Sequence, residues 1–207
     1  MKKVVSIREA ILRQLLRWPA ERCFSRSDFA ALGSRAAISQ ALSRLERGGE
    51  LISPLRGYYC RRRMSKLLKV EMPVDLGALA EAIARNSGWE IVPCGDIAAN
   101  GLGLSTQVPA VWSYASTGPY RVYALGGKRL EFKHTANREL FNLSRKSAMV
   151  VQALKAIGRE HAGDETVRRI GEALTEDELR ALHRETGRTV SWIYELLQRV
   201  GKEVEHA

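Results

Sequence analysis

The sequence predicts an α+β protein, with three helices and a terminal hairpin in the first third, a small α/β unit in the middle and a helical C-terminal part. Three observations carry that expectation. Apolar residues recur at helical spacing before residue 48, glycine- and proline-bounded extended runs fall at 50–61 and 89–134, and helical periodicity returns from residue 145. Charge divides along the same lines. Residues 1–66 hold 15 Lys and Arg against 5 Asp and Glu, whereas residues 67–207 hold 18 against 18, so the whole formal excess of +10 sits in the first third. The asymmetry fits a polyanion-binding module, 1–66, joined to an electrically balanced remainder, 67–207.

The first helix is expected over SIREAILRQLLRW, with Ser6 as N-cap, Ile7, Ala10, Ile11 and Leu15 on one stripe, and Pro19 as terminator. A second is expected in SRSDFAAL, capped by Ser25 or Ser27 and stopped at Gly33. In SRAAISQALSRLERG, Ile38, Ala41, Leu42 and Leu45 fall at i, i+3, i+4 and i+7 and form the buried stripe of a third, which Gly48-Gly49 ends. Two extended pieces follow, Glu50 to Ser53 and Gly57 to Arg61, joined by a reversal over SPLRG.

Three helices and a hairpin in about 60 residues is the layout of a winged helix-turn-helix. A helix that reads the major groove must present short or forked polar groups, because bulky ones hold the backbone away from base edges. The outward face of the third helix carries Ala36, Ser39, Gln40 and Ser43, with Arg44 and Arg47 able to reach phosphate or guanine and Ser34 and Arg35 at its start. The hairpin offers Arg56 at its tip and Tyr58, Arg61, Arg62 and Arg63 on its return, suited to sugar-phosphate contact, and Arg26 completes the candidate DNA-binding set. Tyr58 and Tyr59 alternate in direction, so one of the two belongs to the core.

After a basic tether ending near Pro73, VDLGALAEAIARNSG reads as a helix capped by Asp75. Strands are expected at Trp89 to Pro93, Ala110 to Ser116, Tyr120 to Leu125 and Arg129 to His134, the last two joined by Gly126-Gly127. Farther on, Ser144, Asp164 and the Thr175/Glu178 capping box begin helices, and Val190, Ile193, Leu197 and Val200 mark a final one.

With this order established, the chain resembles the AbiEi-type antitoxins of type IV toxin-antitoxin (abortive infection) systems. The likeness rests on the hairpin ending in RGYYCRRR, the GGKRLEFKH hairpin, and NLSRKSAMVVQALKAIG at the start of the helical part. The resemblance implies a non-catalytic protein that represses its own promoter, at inverted repeats in double-stranded DNA, and counters a nucleotidyltransferase toxin, with or without direct contact. A secondary nucleic-acid or toxin contact would fall on local clusters in the neutral part: Lys128, Arg129, Lys133, Arg138, Arg145 and Lys146.

Other classes find less support in the residues. Leu32 to Arg35 superficially resembles the Gly-Ser turn of nucleotidyltransferases, but no Asp-x-Asp pair follows to hold magnesium. No nucleophile elbow is present, NGLGL matches no phosphate or dinucleotide motif, and Cys23, Cys60 and Cys94 have no zinc spacing. No catalytic residue, metal or cofactor is therefore expected. The absence of a secretory h-region and of any apolar run near the ~18 residues of a membrane span points to a cytoplasmic protein. The alternative that remains open is a ligand-sensing winged-helix regulator, since an apolar pocket leaves no pattern in a sequence.

Overall fold

Ser6 starts the first described element by a reciprocal cap: the Glu9 amide donates to Ser6 Oγ at 3.2 Å, and the Ser6 amide donates to the Glu9 carboxylate at 3.3 Å. The computed structural model describes residues 6–136 and 138–200. The chain is α+β and divides into two compact units, Met1–Trp89 and Glu90–Ala207.

The first unit contains α1 (Ile7–Arg17), β1 (Cys23–Ser25), α2 (Arg35–Arg47), β2 (Leu51–Leu55), β3 (Tyr58–Arg61) and α3 (Leu76–Ser87). The helix expected in SRSDFAAL is a 3-10 helix over Arg26–Leu32, ended by Gly33. Ser34 caps α2, accepting the Ala37 amide at 3.3 Å. The three strands form an antiparallel sheet in the order β1-β3-β2. The reversal is tighter than expected. Leu55 pairs with Tyr58, so only Arg56 and Gly57 turn the chain, with Gly57 at φ +86°, and the register slips across Ser53-Pro54 between Ile52 and Leu55. A proline cannot donate to the ladder, and a bulge is one of the few places a strand tolerates it.

The stripe Ile38, Ala41, Leu42 and Leu45 is buried, together with Ile11, Leu15, Phe24, Phe29 and Leu51. Trp18, Phe24 and Phe29 form a ring cluster with centroids 5.3–5.8 Å apart. Burying each of the large side chains contributes about 1.5–3 kcal/mol. Tyr59 is the inward tyrosine, its ring stacked on Phe24 at 6.3 Å.

The boundary expected at 66/67 lies instead at 89/90, because α3 is fastened to β1 and its neighbours. Arg85 Nη2 donates to the Cys23 carbonyl at 3.0 Å, Arg85 Nε to Asp28 at 2.8 Å, and Asn86 accepts from the hydroxyls of Ser25 and Ser27. None of these partners, some 60 residues apart in the chain, follows from local pattern.

The second unit contains β4 (Ile91–Cys94), α4 (Asp96–Gly101), β5 (Val111–Ser116), β6 (Arg121–Leu125), β7 (Lys128–His134), α5 (Arg145–Ile157), α6 (Asp164–Ala173), α7 (Glu176–Glu185) and α8 (Ser191–Leu197). Its sheet runs β4-β5-β7-β6, with β5 and β7 parallel and the other pairs antiparallel. Gly126 and Gly127 both take positive φ, +54° and +82°, as a two-residue hairpin turn of the primed type requires. Ser144 caps α5, and Thr175 and Glu178 form the expected capping box on α7. The helices close over Val150, Leu154, Val167, Ile170, Leu182 and Ile193. Among the described residues no helix is long and apolar enough to cross a membrane.

Candidate nucleic-acid interface

Because the apolar stripe turns α2 inward along one side, the opposite side is left to polar residues. Arg35, Ala36, Gln40, Arg44 and Arg47 are exposed, with Ser39 and Ser43 partly so. Ser34, at the start of this face, has its hydroxyl committed to the cap. Arg47 Nε donates back to the Ser43 carbonyl at 3.4 Å, and Arg26 Nη1 reaches Ser39 Oγ at 3.4 Å. Arg56 is exposed at the turn of the β2–β3 hairpin. Arg35, Arg44, Arg56 and Arg63 have no ion pair or side-chain hydrogen bond to any of the described residues.

A cleft of about 300 Å³ opens between α2 and the hairpin, lined by Ser25, Arg26, Ser39, Arg56, Tyr58 and Asn86 among others. Asn86 organises one wall. Its Oδ1 accepts from Ser25 Oγ at 3.0 Å and Ser27 Oγ at 2.6 Å, and its Nδ2 donates to the Tyr58 phenol oxygen at 3.2 Å. Tyr58 is thereby fixed beside the cleft with its O–H left to donate. Sequence reading assigned Asn86 no role, since it sits on a helix placed in the next domain and carries no local signal.

The three arginines after the hairpin have separate fates. Arg61 Nη2 donates to the Trp18 carbonyl at 2.8 Å and ties β3 to the end of α1. Arg62 pairs with Glu71 at 3.5 Å and remains half exposed, and Arg63 is partly buried.

One carboxylate separates structural from available cations. Asp28, 7% exposed at its side chain, accepts from Arg85 at 2.8 Å, Arg22 at 3.3 Å and the Ser25 amide at 2.8 Å. Burial alone would raise its pKa. Hydrogen bonds from Arg85 and the Ser25 amide, with the Arg85 charge and a bond from Arg22, outweigh that and hold the carboxyl below the usual aspartate range. Arg22, stacked 4.0 Å over Trp18, and Arg85 are thus consumed in the fold.

The secondary basic residues do not share one element. Strand alternation puts Arg129 and Lys133 on the β7 face opposite Lys128. Lys133 is 3.6 Å from the buried carboxylate of Glu131, which also accepts from Tyr120 and Ser113 at 2.6 and 3.2 Å. Arg145 and Lys146 lie in the first turn of α5. Arg138 begins a 3-10 turn, and its side chain lies outside the described residues. Among the described residues no group of three or more His, Cys, Asp or Glu side chains is arranged to hold a metal ion.

These features define an α+β protein whose N-terminal unit bears a cationic helix-and-hairpin face. The chain belongs to DUF6088, a family of unknown function whose pattern matches residues 11–182. No curated protein matches it. Among solved structures it is similar to the crystal structure of the RV2827C protein from Mycobacterium tuberculosis, with 16% sequence identity and a TM-score of 0.45, over 94% of this chain and 77% of that one.

Proposed function

We propose that the N-terminal unit is a winged helix-turn-helix that binds duplex DNA, and that the protein is an autorepressor and antitoxin countering a nucleotidyltransferase toxin, as its resemblance to AbiEi-type antitoxins implies. The observation that carries the DNA reading is the exposed α2 face, where Gln40 and small side chains sit among unpaired Arg35 and Arg44, next to a hairpin tipped by Arg56. A helix about 10–12 Å across fits a major groove about 12 Å wide, and small outward residues let its backbone approach base edges. Arg26, Arg56 and the Tyr58 hydroxyl beside the cleft suit a backbone phosphate, which fixes register without reading sequence.

Fluorescence anisotropy with a labelled duplex from the protein's own upstream region tests this, with random DNA as comparison. Gln40→Ala or Arg44→Ala is expected to weaken operator binding by roughly tenfold, in line with about 1–3 kcal/mol per base contact, while random-sequence binding changes little. Equal losses on both duplexes would overturn the assignment of α2 as the reading helix. The antitoxin role is checked by growth rescue of cells expressing a nucleotidyltransferase toxin encoded beside the protein; no rescue by folded protein would reject it.

A further inference from the structure

The second unit holds a cavity of about 460 Å³ that the DNA reading does not use. Leu140, Leu143, Val151 and Val190 supply apolar wall, and Lys155 and Arg188 stand at the same cavity with Glu185. The size lies within the roughly 300–1,000 Å³ of small-molecule sites, which combine apolar walls with a few placed polar groups.

The charges decide what such a ligand must carry. Glu185 is already committed: it accepts the Ser144 amide at 2.8 Å, at the N-terminus of α5. Burial pushes its pKa up, but that amide and the hydroxyls of Ser147 and Ser144 bring the carboxyl below its ordinary range. Lys155, in the last turn of α5, and Arg188 have no ion pair or side-chain hydrogen bond with any of the described residues. Lys155 and Arg188 set against the ionised Glu185 leave the cavity one net positive charge, which beside an apolar wall complements a single anionic group attached to a hydrophobic body.

We infer that this cavity binds a small organic anion, with its carboxylate or an equivalent group at Lys155 and Arg188 and its apolar body against Leu143, Val151 and Val190. The site is independent of the α2 face, so either reading can fail without the other.

The test uses the full chain and the fluorescent probe anilinonaphthalene sulfonate, which has an aromatic body and one sulfonate. Saturable binding at about one site per chain is expected, with displacement by octanoate but not by octanamide at equal concentration. Lys155→Gln and Arg188→Gln, both exposed and remote from the packed core, should each weaken probe and octanoate binding about three- to tenfold while leaving the far-UV circular dichroism unchanged. A Val190→Asp variant, which places a negative charge on a wall residue that is 49% exposed, gives a second measure and should weaken probe and octanoate binding while leaving the fold intact. Absence of saturable binding, or binding indifferent to both cation substitutions and to the carboxylate of the competitor, would overturn the proposal.

Discussion

Asp28 shows how one side chain can fix both the fold and the pH range over which it holds. Its carboxylate joins the Ser25 amide, Arg22 and the α3 residue Arg85. Since its folded pKa is lowered, the stability it supplies is complete above its unfolded pKa of about 3.9 and is lost as pH falls through the lower folded value. Asp28→Asn should cost about 2 kcal/mol at neutral pH by urea denaturation, after allowing for the partly exposed arginines, and should flatten the acid limb of stability. Two arginines give a paired comparison. Arg61→Gln removes the bond to the Trp18 carbonyl and is expected to lower stability by about 1 kcal/mol with no change in the salt dependence of DNA binding. Arg56→Ala is expected to do the reverse, sparing stability and reducing the salt slope by about 1.

At the scale of elements, α2 carries opposite demands on its two sides. Leu42 is fully buried, and Leu42→Ala should cost about 2–5 kcal/mol in thermal or urea unfolding and lower DNA affinity only through loss of folded protein. Helix α2 was legible because a 3.6-residue period and the Ser34 and Gly48 ends agree, and the hairpins were legible because Gly57 and the pair Gly126-Gly127 punctuate them. Other features left no local mark. The three-residue β1 is too short to show alternation, and it forms because β3 presents a partner edge. The run Arg26–Leu32 has helix-forming residues yet closes as a 3-10 helix between the Ser25 cap and Gly33. Pairing of β5 with β7 in parallel, skipping β6, is a long-range choice no strand pattern encodes. The same holds for the site: the α2 face could be read from periodicity, but Asn86 bonding to Tyr58 and the turning of Arg61 toward α1 depend on contacts between distant segments.

Across the whole molecule, charge is segregated by unit. Met1–Trp89 holds 17 Lys and Arg against 8 Asp and Glu, and Glu90–Ala207 holds 16 against 15. In the first unit two of the cations, Arg22 and Arg85, share the Asp28 carboxylate, while Arg35, Arg44 and Arg56 have no ion pair among the described residues. A surface of this kind draws most of its affinity from displaced counterions, so binding must fall steeply as salt rises. The most direct measurement is the affinity of the intact protein for its own upstream duplex, followed by anisotropy from low to high salt. Binding in the low-salt range, with log K falling linearly in log salt at a slope of about −4, is the expected result for four to five phosphate contacts. No association in dilute buffer, or an affinity that salt does not change, would contradict a cationic DNA-binding face on the N-terminal unit.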